Sequence, residues 1–197
     1  MRIFNHIVRY TSLLCICVGA ALLGGYLFRR NLDRDKQLKI MAEFEAQIAS
    51  SITSDDHIYT GTGTNDYTAI DGQTLAILRL DRLGIRVSVA EGIEKDILRI
   101  SAGHFPNSDM PGDGNFAIAG HSSIVYTCLF NDIHKAVYGD IITVTTRNEI
   151  HQYIVTDIIV VDPTAVELLN STNESVITIV TCTNSGQERL IIRGLEV

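Results

Sequence analysis

Two cysteines outside the apolar N-terminal region could act as nucleophiles, Cys128 and Cys182. A thiol attacks a carbonyl carbon as its thiolate, so it needs a basic or cationic neighbour. Cys182 meets this need better, because it ends the apolar run 176–181, where a predicted strand opens into a polar turn. The alternative is a disulfide between the two cysteines, which an oxidising compartment would favour.

A cation lies across from Cys182 in the predicted hairpin. The polar turn 183–188 places Arg189 almost opposite Cys182 on the next strand. A guanidinium keeps its positive charge and could stabilise a developing oxyanion. Arg193 has the same strand parity, but it lies about 13 Å further along at about 3.3 Å per residue. The predicted geometry therefore favours Arg189.

Six histidines could supply the proton acceptor and donor that a cysteine nucleophile requires. His121 follows the apolar run 116–119 and a glycine, at the end of a predicted strand. His104, in Ser-Ala-Gly-His-Phe-Pro, is a similar candidate by spacing. His134 and His151 have polar neighbours and are predicted to lie on the surface. The residues alone leave both His121 and His104 open.

The elements that must position these residues are mainly β. From residue 74 onward the chain carries short β-branched runs bounded by turn residues. Few of these runs are followed by a helix, which favours a barrel or sandwich over a doubly wound sheet. Short helices are predicted at 94–100 and 129–136. The predicted strands cover 75–80, 85–89, 116–119, 141–146, 153–161, 176–181 and 189–193.

Residues 10–28 form an uncharged, apolar stretch. As a helix it would be about 28 Å long, close to the hydrocarbon thickness of a bilayer. A cleaved signal peptide is the alternative, but its apolar region is normally shorter, and Arg29 and Arg30 follow directly here. We expect an uncleaved single-pass anchor in the plasma membrane, with residues 1–9 in the cytoplasm and the remainder outside the cell.

The rest of the chain differs from the anchor in charge and composition. Residues 29–73 are predicted to form a juxtamembrane helix and then a flexible linker rich in Ser, Thr, Gly and Asn. Residues 74–197 are predicted to form the catalytic domain. The chain has a net charge of −7, and residues 1–30 carry four arginines and no acid, which leaves −11 for residues 31–197. This acidic balance argues against nucleic-acid binding.

Three motifs resemble the sortases, which are membrane-anchored cysteine transpeptidases of Gram-positive bacterial surfaces. They are Gly-Asn-Phe-Ala-Ile-Ala-Gly-His at 114–121, Ile-Val-Thr-Cys-Thr at 179–183 and Glu-Arg-Leu-Ile-Ile-Arg-Gly at 188–194. Their order and spacing are those of the family, and the resemblance covers about residues 70–197. It implies a closed eight-stranded β-barrel with short helices, here preceded by an N-terminal transmembrane helix.

The resemblance also implies roles for individual residues. His121, Cys182 and Arg189 take the catalytic places of the family, and Thr181 helps to position the substrate. His104 falls outside the motifs, which leaves it a structural or rim role. The implied reaction cleaves an LPxTG-like C-terminal sorting signal of a surface protein through a thioester. The product is then transferred to an amine of a cell-wall precursor, with no cofactor required.

Other functions and subtypes remain open at this point. The domain could be a catalytically silent, membrane-tethered binding module, although all three catalytic residue types are present. It could also be a cysteine peptidase that mainly hydrolyses its substrate. Within the family, the N-terminal anchor and the 188–194 motif resemble class A, whereas the stretch 103–115 resembles class D.

Some sortases bind Ca²⁺ through acidic loop residues. Four acids of this chain lie in predicted loops, Asp109, Asp113, Asp162 and Glu167. No Asp-x-Asp-x-Asp-Gly loop accompanies them. We therefore expect no metal ligands, with a structural Ca²⁺ site as the less favoured alternative.

Overall fold

The computed structural model describes residues 2–53, 72–122, 129–183 and 186–197. Eight strands close into a barrel in the order β1-β2-β3-β4-β7-β8-β6-β5. The closed eight-stranded barrel implied by the resemblance is therefore confirmed. The strands are Thr74–Leu80 (β1), Ile85–Glu91 (β2), Ala102–His104 (β3), Asn115–Ala119 (β4), Ile141–Thr145 (β5), Ile150–Val161 (β6), Val176–Cys182 (β7) and Arg189–Glu196 (β8).

The seven strands predicted from β-branched runs are all present, and β3 is an additional one. Strand β3 has only three residues, Ala-Gly-His, and none of them is β-branched, so it carried no strand signal. The helix predicted at 94–100 is the short α2, Lys95–Leu98. The helix predicted at 129–136 is a single 3₁₀ turn, Ile133–Lys135.

Two of the eight pairings in the barrel are parallel, β2 with β3 and β4 with β7. Because β4 and β7 run in the same direction, both finish at one end of the barrel, where β8 begins. We call this the Cys182 end. The interior is filled by fully buried side chains, the largest of which are Tyr153, Phe116, Phe130, Leu78, Leu80, Ile118, Ile133, Ile142, Ile177, Ile179 and Ile192.

The N-terminal part of the chain is one continuous helix, α1, Arg2–Thr53. The predicted anchor and the predicted juxtamembrane helix are thus a single element. Among the described residues, α1 is the helix that is long and apolar enough to cross a membrane, and its apolar window has no buried residue. The linker predicted up to residue 73 falls mostly on residues 54–71, which lie outside the described residues.

The C-terminal part of α1 packs on the outside of the barrel. Met41 and Phe44 are buried against Ile77 of β1. Burying two large apolar side chains stabilises this contact by about 1.5–3 kcal/mol each. Glu45 forms an ion pair with Arg86 on the neighbouring strand. The barrel is therefore attached to α1 by a packed interface.

Candidate active site

Three hydrogen bonds hold the chain around His121 against the end of β7. The Gly120 N–H donates to the β7 backbone over 3.1 Å. The Thr181 hydroxyl donates to the Gly120 carbonyl oxygen over 2.7 Å. The Ser122 hydroxyl donates to the Cys182 carbonyl oxygen, also over 2.7 Å. Because residues on both sides of His121 are bonded to Thr181 and Cys182, the backbone at His121 lies beside the end of β7 that carries the thiol.

Residue 120 must be a glycine because a side chain there would collide with a neighbouring ring. A Cβ atom at this position would lie 2.3 Å from the ring of buried Phe130. The Phe130 N–H also donates to the His121 carbonyl oxygen over 3.2 Å. Thus the absence of a side chain at residue 120 lets Phe130 pack behind the His121 segment.

The substitution Gly120→Ala is expected to destabilise the protein by about 1–3 kcal/mol, because it overpacks the site of Phe130. Denaturant unfolding of the full-length protein measures this difference. Adding Phe130→Leu removes ring atoms from the contact, so the double variant should lose less stability than the sum of the single variants. Strict additivity of the two losses would contradict the steric explanation.

Cys182 is half-buried and carries a free thiol. This excludes the alternative disulfide in the structure, while Cys128 itself lies outside the described residues. The thiol faces a pocket of ≈ 180 Å³ with mixed apolar and hydroxyl walls. The lining residues besides Cys182 are Ser122, Ile133, His134, Val160, Thr181, Thr183 and Leu190.

Arg189 pairs directly with Cys182 in the β7–β8 ladder, as the length of the turn predicted. Its Nη1 donates to the carbonyl oxygens of Gly186 and Glu188, over 3.3 Å and 3.2 Å. A guanidinium has five N–H donors, so these two bonds leave capacity for a substrate oxygen. Arg193 pairs instead with Thr178, four residues from Cys182 along β7.

The His121 imidazole is partly buried, and this burial lowers its pKa below the ordinary value of 6.5 because the charged form loses hydration. His121 is therefore predominantly neutral at pH 7 and can accept a proton. In ¹H–¹⁵N spectra of a Cys182→Ala protein, we expect its titration midpoint to fall below 6.5. A midpoint at or above 6.5 would contradict this assignment of the desolvation effect.

His104 is part of a buried polar cluster. Its side chain is almost inaccessible, with Nδ1 2.8 Å from a Glu91 carboxylate oxygen and Nε2 2.9 Å from the Ser108 hydroxyl oxygen. The ring also stacks on Phe116 at a centroid distance of 5.2 Å. These contacts satisfy both ring nitrogens, which agrees with a structural role.

The two histidines predicted to be surface residues differ from each other. His134 is exposed, but it also lines the Cys182 pocket, which its polar neighbours gave no reason to expect. The surface prediction for His151 is wrong, because its side chain is buried. Its Nδ1 lies 2.7 Å from Glu196, and its Nε2 lies 3.4 Å from Glu149. Two carboxylates on neighbouring segments lower the free-energy cost of burying this imidazole, because they give its ring nitrogens polar partners.

Two of the four acidic residues considered for Ca²⁺, Asp109 and Asp162, have hydrogen-bond partners within the protein. Asp109 accepts a hydrogen bond from the Asn115 N–H over 2.7 Å. Asp162 accepts from the backbone N–H and hydroxyl of Thr164, which lower its pKa, and the charge of Arg189 lowers it further. Within the described ranges, no three His, Cys, Asp or Glu side chains are grouped as a metal site requires.

Comparisons with known proteins agree with this fold. The family model of the sortase domain matches residues 78–197. Sortase A of Listeria monocytogenes is 29% identical over 154 residues, which cover 78% of this chain but only 64% of that protein. The Clostridium perfringens Sortase D5 transpeptidase superposes with a TM-score of 0.67 at 32% identity, covering 82% of this chain and 98% of that chain.

A further similar structure is Sortase E1 from Streptomyces coelicolor, solved with a tripeptide in the active site. It has a TM-score of 0.59 at 30% identity, covering 64% of this chain and 89% of that chain. The family match covers more than half of the chain and includes both β4 and the β7–β8 hairpin. The chain therefore belongs to the sortase family, whose members are cysteine transpeptidases.

Proposed function

We propose that this sortase cleaves an LPxTG-like C-terminal sorting signal of surface proteins and transfers the product to an amine of a cell-wall precursor. The observation that carries the proposal is the pair of hydroxyl bonds that join Ser122 to the Cys182 backbone and Thr181 to the Gly120 backbone. They bring the His121 segment to the thiol that opens on a peptide-sized pocket. Thr181 thus contributes by shaping the substrate site.

In the first half of the reaction, His121 accepts the thiol proton, and the Cys182 Sγ attacks the carbonyl carbon of the signal's Thr. The oxygen becomes an oxyanion, which the Arg189 guanidinium stabilises from the neighbouring strand. The Thr–Gly amide bond then breaks. His121, now an imidazolium, donates its proton to the leaving Gly nitrogen, and a thioester remains on Cys182.

In the second half, the amine of the cell-wall precursor attacks the thioester carbonyl carbon. His121 accepts a proton from this nitrogen, the C–S bond breaks, and Cys182 leaves as the thiolate. A new amide bond joins the surface protein to the acceptor. Because burial lowers the pKa of His121, its imidazolium form is disfavoured at neutral pH, and we expect slow turnover.

We propose the corresponding layout in the cell. Residues 1–9 lie in the cytoplasm, residues 10–28 cross the plasma membrane, and the barrel from residue 74 acts outside the cell. The length and composition of the apolar window of α1 support the membrane-spanning part of this layout. The linker of the proposed layout ends where β1 begins.

The proposal is tested by incubating the full-length protein with a panel of LPxTG-type peptides and analysing the intact protein by mass spectrometry. We expect an acyl adduct on Cys182 with at least one peptide. Adding an oligoglycine or diamine acceptor should convert the adduct into an amide product. Release of free acid at an unchanged rate would identify a hydrolase, and absence of any adduct would favour a silent binding domain.

Arg189→Ala is expected to lower kcat/KM by about 10²–10³-fold, because the oxyanion loses its cationic hydrogen-bond donor. Arg189→Lys keeps the charge without the planar fork, so it should recover only part of this loss. Steady-state kinetics with the reactive peptide measure both variants, and their thermal midpoints control for folding. Full activity of Arg189→Ala would assign the oxyanion contact to another group.

A further inference from the structure

One arginine of the barrel lacks the partner that the others have. Residues 72–197 contain seven arginines, and six of them have a partner in the structure. Arg147 lies over the ring of Phe44, and Arg189 donates to two backbone carbonyl oxygens. The other four form the ion pairs Arg79–Asp81, Arg82–Asp140, Arg86–Glu45 and Arg99–Asp33. No hydrogen bond, ion pair or ring contact joins Arg193 to a residue that the structure describes.

The position of Arg193 makes the lack of a partner costly. Its side chain is half-buried, and its Nε atom is inaccessible and has no hydrogen-bond partner among the described residues. A buried N–H donor loses its bonds to water, so leaving it unpaired destabilises the folded state. The charge on the guanidinium adds to this cost. An acceptor from outside the described chain would therefore complete this side chain.

The polar neighbours of Arg193 are engaged elsewhere. Asp157 is its partner in the β6–β8 register, but this carboxylate is exposed and accepts a hydrogen bond from the Thr156 hydroxyl. Thr178 is its partner in the β7–β8 register and is fully buried. The Thr178 hydroxyl donates to Asn115 Oδ1 over 2.7 Å. The cross-strand neighbours on both sides thus direct their polar atoms to other groups.

Arg193 lies on the face of the β7–β8 ladder that carries the catalytic pair. Residues directly opposite in an antiparallel ladder share a face, and Cys182 pairs with Arg189 as Thr178 pairs with Arg193. Ile192, of opposite parity, belongs to the buried core, so this shared face is the outer one. Four residues separate the two arginines along β8, a distance of about 13 Å at about 3.3 Å per residue.

The row between the two arginines is apolar. It consists of Val180 and Ile191, of which Ile191 is buried and Val180 is half-buried. An extended peptide that follows this face away from the thiol would cross the apolar row and then reach the Arg193 guanidinium. The distance of about 13 Å corresponds to four residues of that peptide. Counted towards the N-terminus from the Thr of an LPxTG-like signal, the fourth residue is the one directly before Leu.

We infer that Arg193 is a docking point for a carboxylate of the substrate polypeptide, an Asp or Glu that lies four residues from the Thr at the scissile bond. The inference rests on the proposed function and adds a charge preference outside the motif. A guanidinium suits a carboxylate because its planar N–H donors form two parallel hydrogen bonds. Residues 31–197 carry a net charge of −11, so an acidic peptide needs such a local cation to bind.

The preference is measured with the full-length protein and two pairs of peptides that share one LPxTG motif. One pair carries Glu or Gln directly before Leu, and the other carries Glu or Gln at the fourth residue after Thr, since the spacing is the same in both directions. In one pair, the Glu peptide should show a kcat/KM for acylation about tenfold higher than that of the Gln peptide. The ratio should fall as salt is added. Equal rates within both pairs would overturn the inference.

Three variants assign the preference to Arg193. Arg193→Met removes the charge and the donors but keeps an apolar stem, so the ratio between the Glu and Gln peptides should approach one. Arg193→Glu should favour a peptide with Lys at the same position. Asp157→Asn is the matched control, because it removes the neighbouring carboxylate, and the preference for Glu should persist or increase. If Arg193→Met keeps the preference for Glu, another cation causes it and the inference is wrong.

Thermal unfolding distinguishes a binding arginine from a structural one. Arg193→Met removes a half-buried cation that has no described partner, so the thermal midpoint should stay the same or rise. If Asp157 were the partner of Arg193, both Arg193→Met and Asp157→Asn should lower the midpoint. A lower midpoint in both variants, together with equal rates for the Glu and Gln peptides, would establish a structural ion pair in place of the docking point.

Peptide binding to the Cys182→Ala protein separates this inference from the proposed reaction. By fluorescence anisotropy, the Glu peptide should bind about tenfold more tightly than the Gln peptide. Equal affinities, or no binding of either peptide, would contradict the docking point. Absence of acylation together with the expected affinities would refute the proposed reaction alone.

A carboxylate could also come from the acceptor. The acyl-enzyme is therefore offered oligoglycine or its C-terminal amide, with the wild type and with Arg193→Met. The variant should leave the discrimination between these two acceptors unchanged. If it alters this discrimination and leaves the ratio between the Glu and Gln peptides as in the wild type, Arg193 serves the acceptor and the inference is overturned.

Discussion

Cys182→Ala is expected to abolish the acyl-enzyme and to lower transpeptidation by about 10⁴-fold or more. Among the described residues that line the pocket, the thiol of Cys182 is the proposed nucleophile, and alanine leaves the backbone of β7 intact. The carbonyl oxygen of residue 182 can still accept the Ser122 hydrogen bond. The loss should therefore appear in kcat with little change in stability.

Two variants serve as controls for the loss of a thiol. Cys15 and Cys17 are exposed on the apolar part of α1, far along the chain from the barrel. Replacing either by alanine should leave kcat/KM of the soluble peptide within about twofold, since neither can contact the pocket. Retained acylation in Cys182→Ala would transfer the nucleophile to another residue and contradict the proposed mechanism.

His121→Ala is expected to lower kcat/KM by about 10²–10⁴-fold, the usual contribution of a positioned general acid–base. The variant loses both the acceptor for the thiol proton and the donor for the leaving amine. The variant should also lose the pH dependence of kcat/KM that arises from the lowered pKa of this imidazole. Initial rates over a pH series, for the wild type and the variant, measure both effects.

His134→Ala is the matched imidazole control. His134 lines the same pocket, but its Nδ1 lies 2.9 Å from the Asn131 carbonyl oxygen and its ring is exposed. Its removal should raise KM by less than about tenfold and leave kcat and its pH profile unchanged. The reverse pattern, a small effect at His121 and a large one at His134, would reassign the general acid–base.

The register between Cys182 and Arg189 could be predicted from the sequence because the length of a hairpin turn fixes its pairing. His121 was placed at a strand end by the apolar run before it, and the structure agrees. The role of Gly120 could not be predicted, since it depends on Phe130, which arrives from a separate segment. Such packing is a tertiary property, which local patterns do not encode.

The sequence predictions that failed for His151 and His134 also concern contacts between segments that are distant along the chain. His151 was predicted to be exposed from its polar neighbours, but one of the carboxylates that accommodate its burial comes from β8, 45 residues away. The pocket contact of His134 depends on a loop whose path no periodicity specifies.

The parallel pairing of β4 with β7 also determines when the site can form. The two strands are separated by 56 residues of intervening chain, so their contact carries a large loop-closure cost and belongs to the slow steps of folding. Until β4 and β7 have paired, Cys182 lies apart from the segment that carries His121. In the proposed layout, a chain anchored through α1 therefore gains the proposed activity only when its barrel is complete, which couples catalytic competence to correct folding at the membrane.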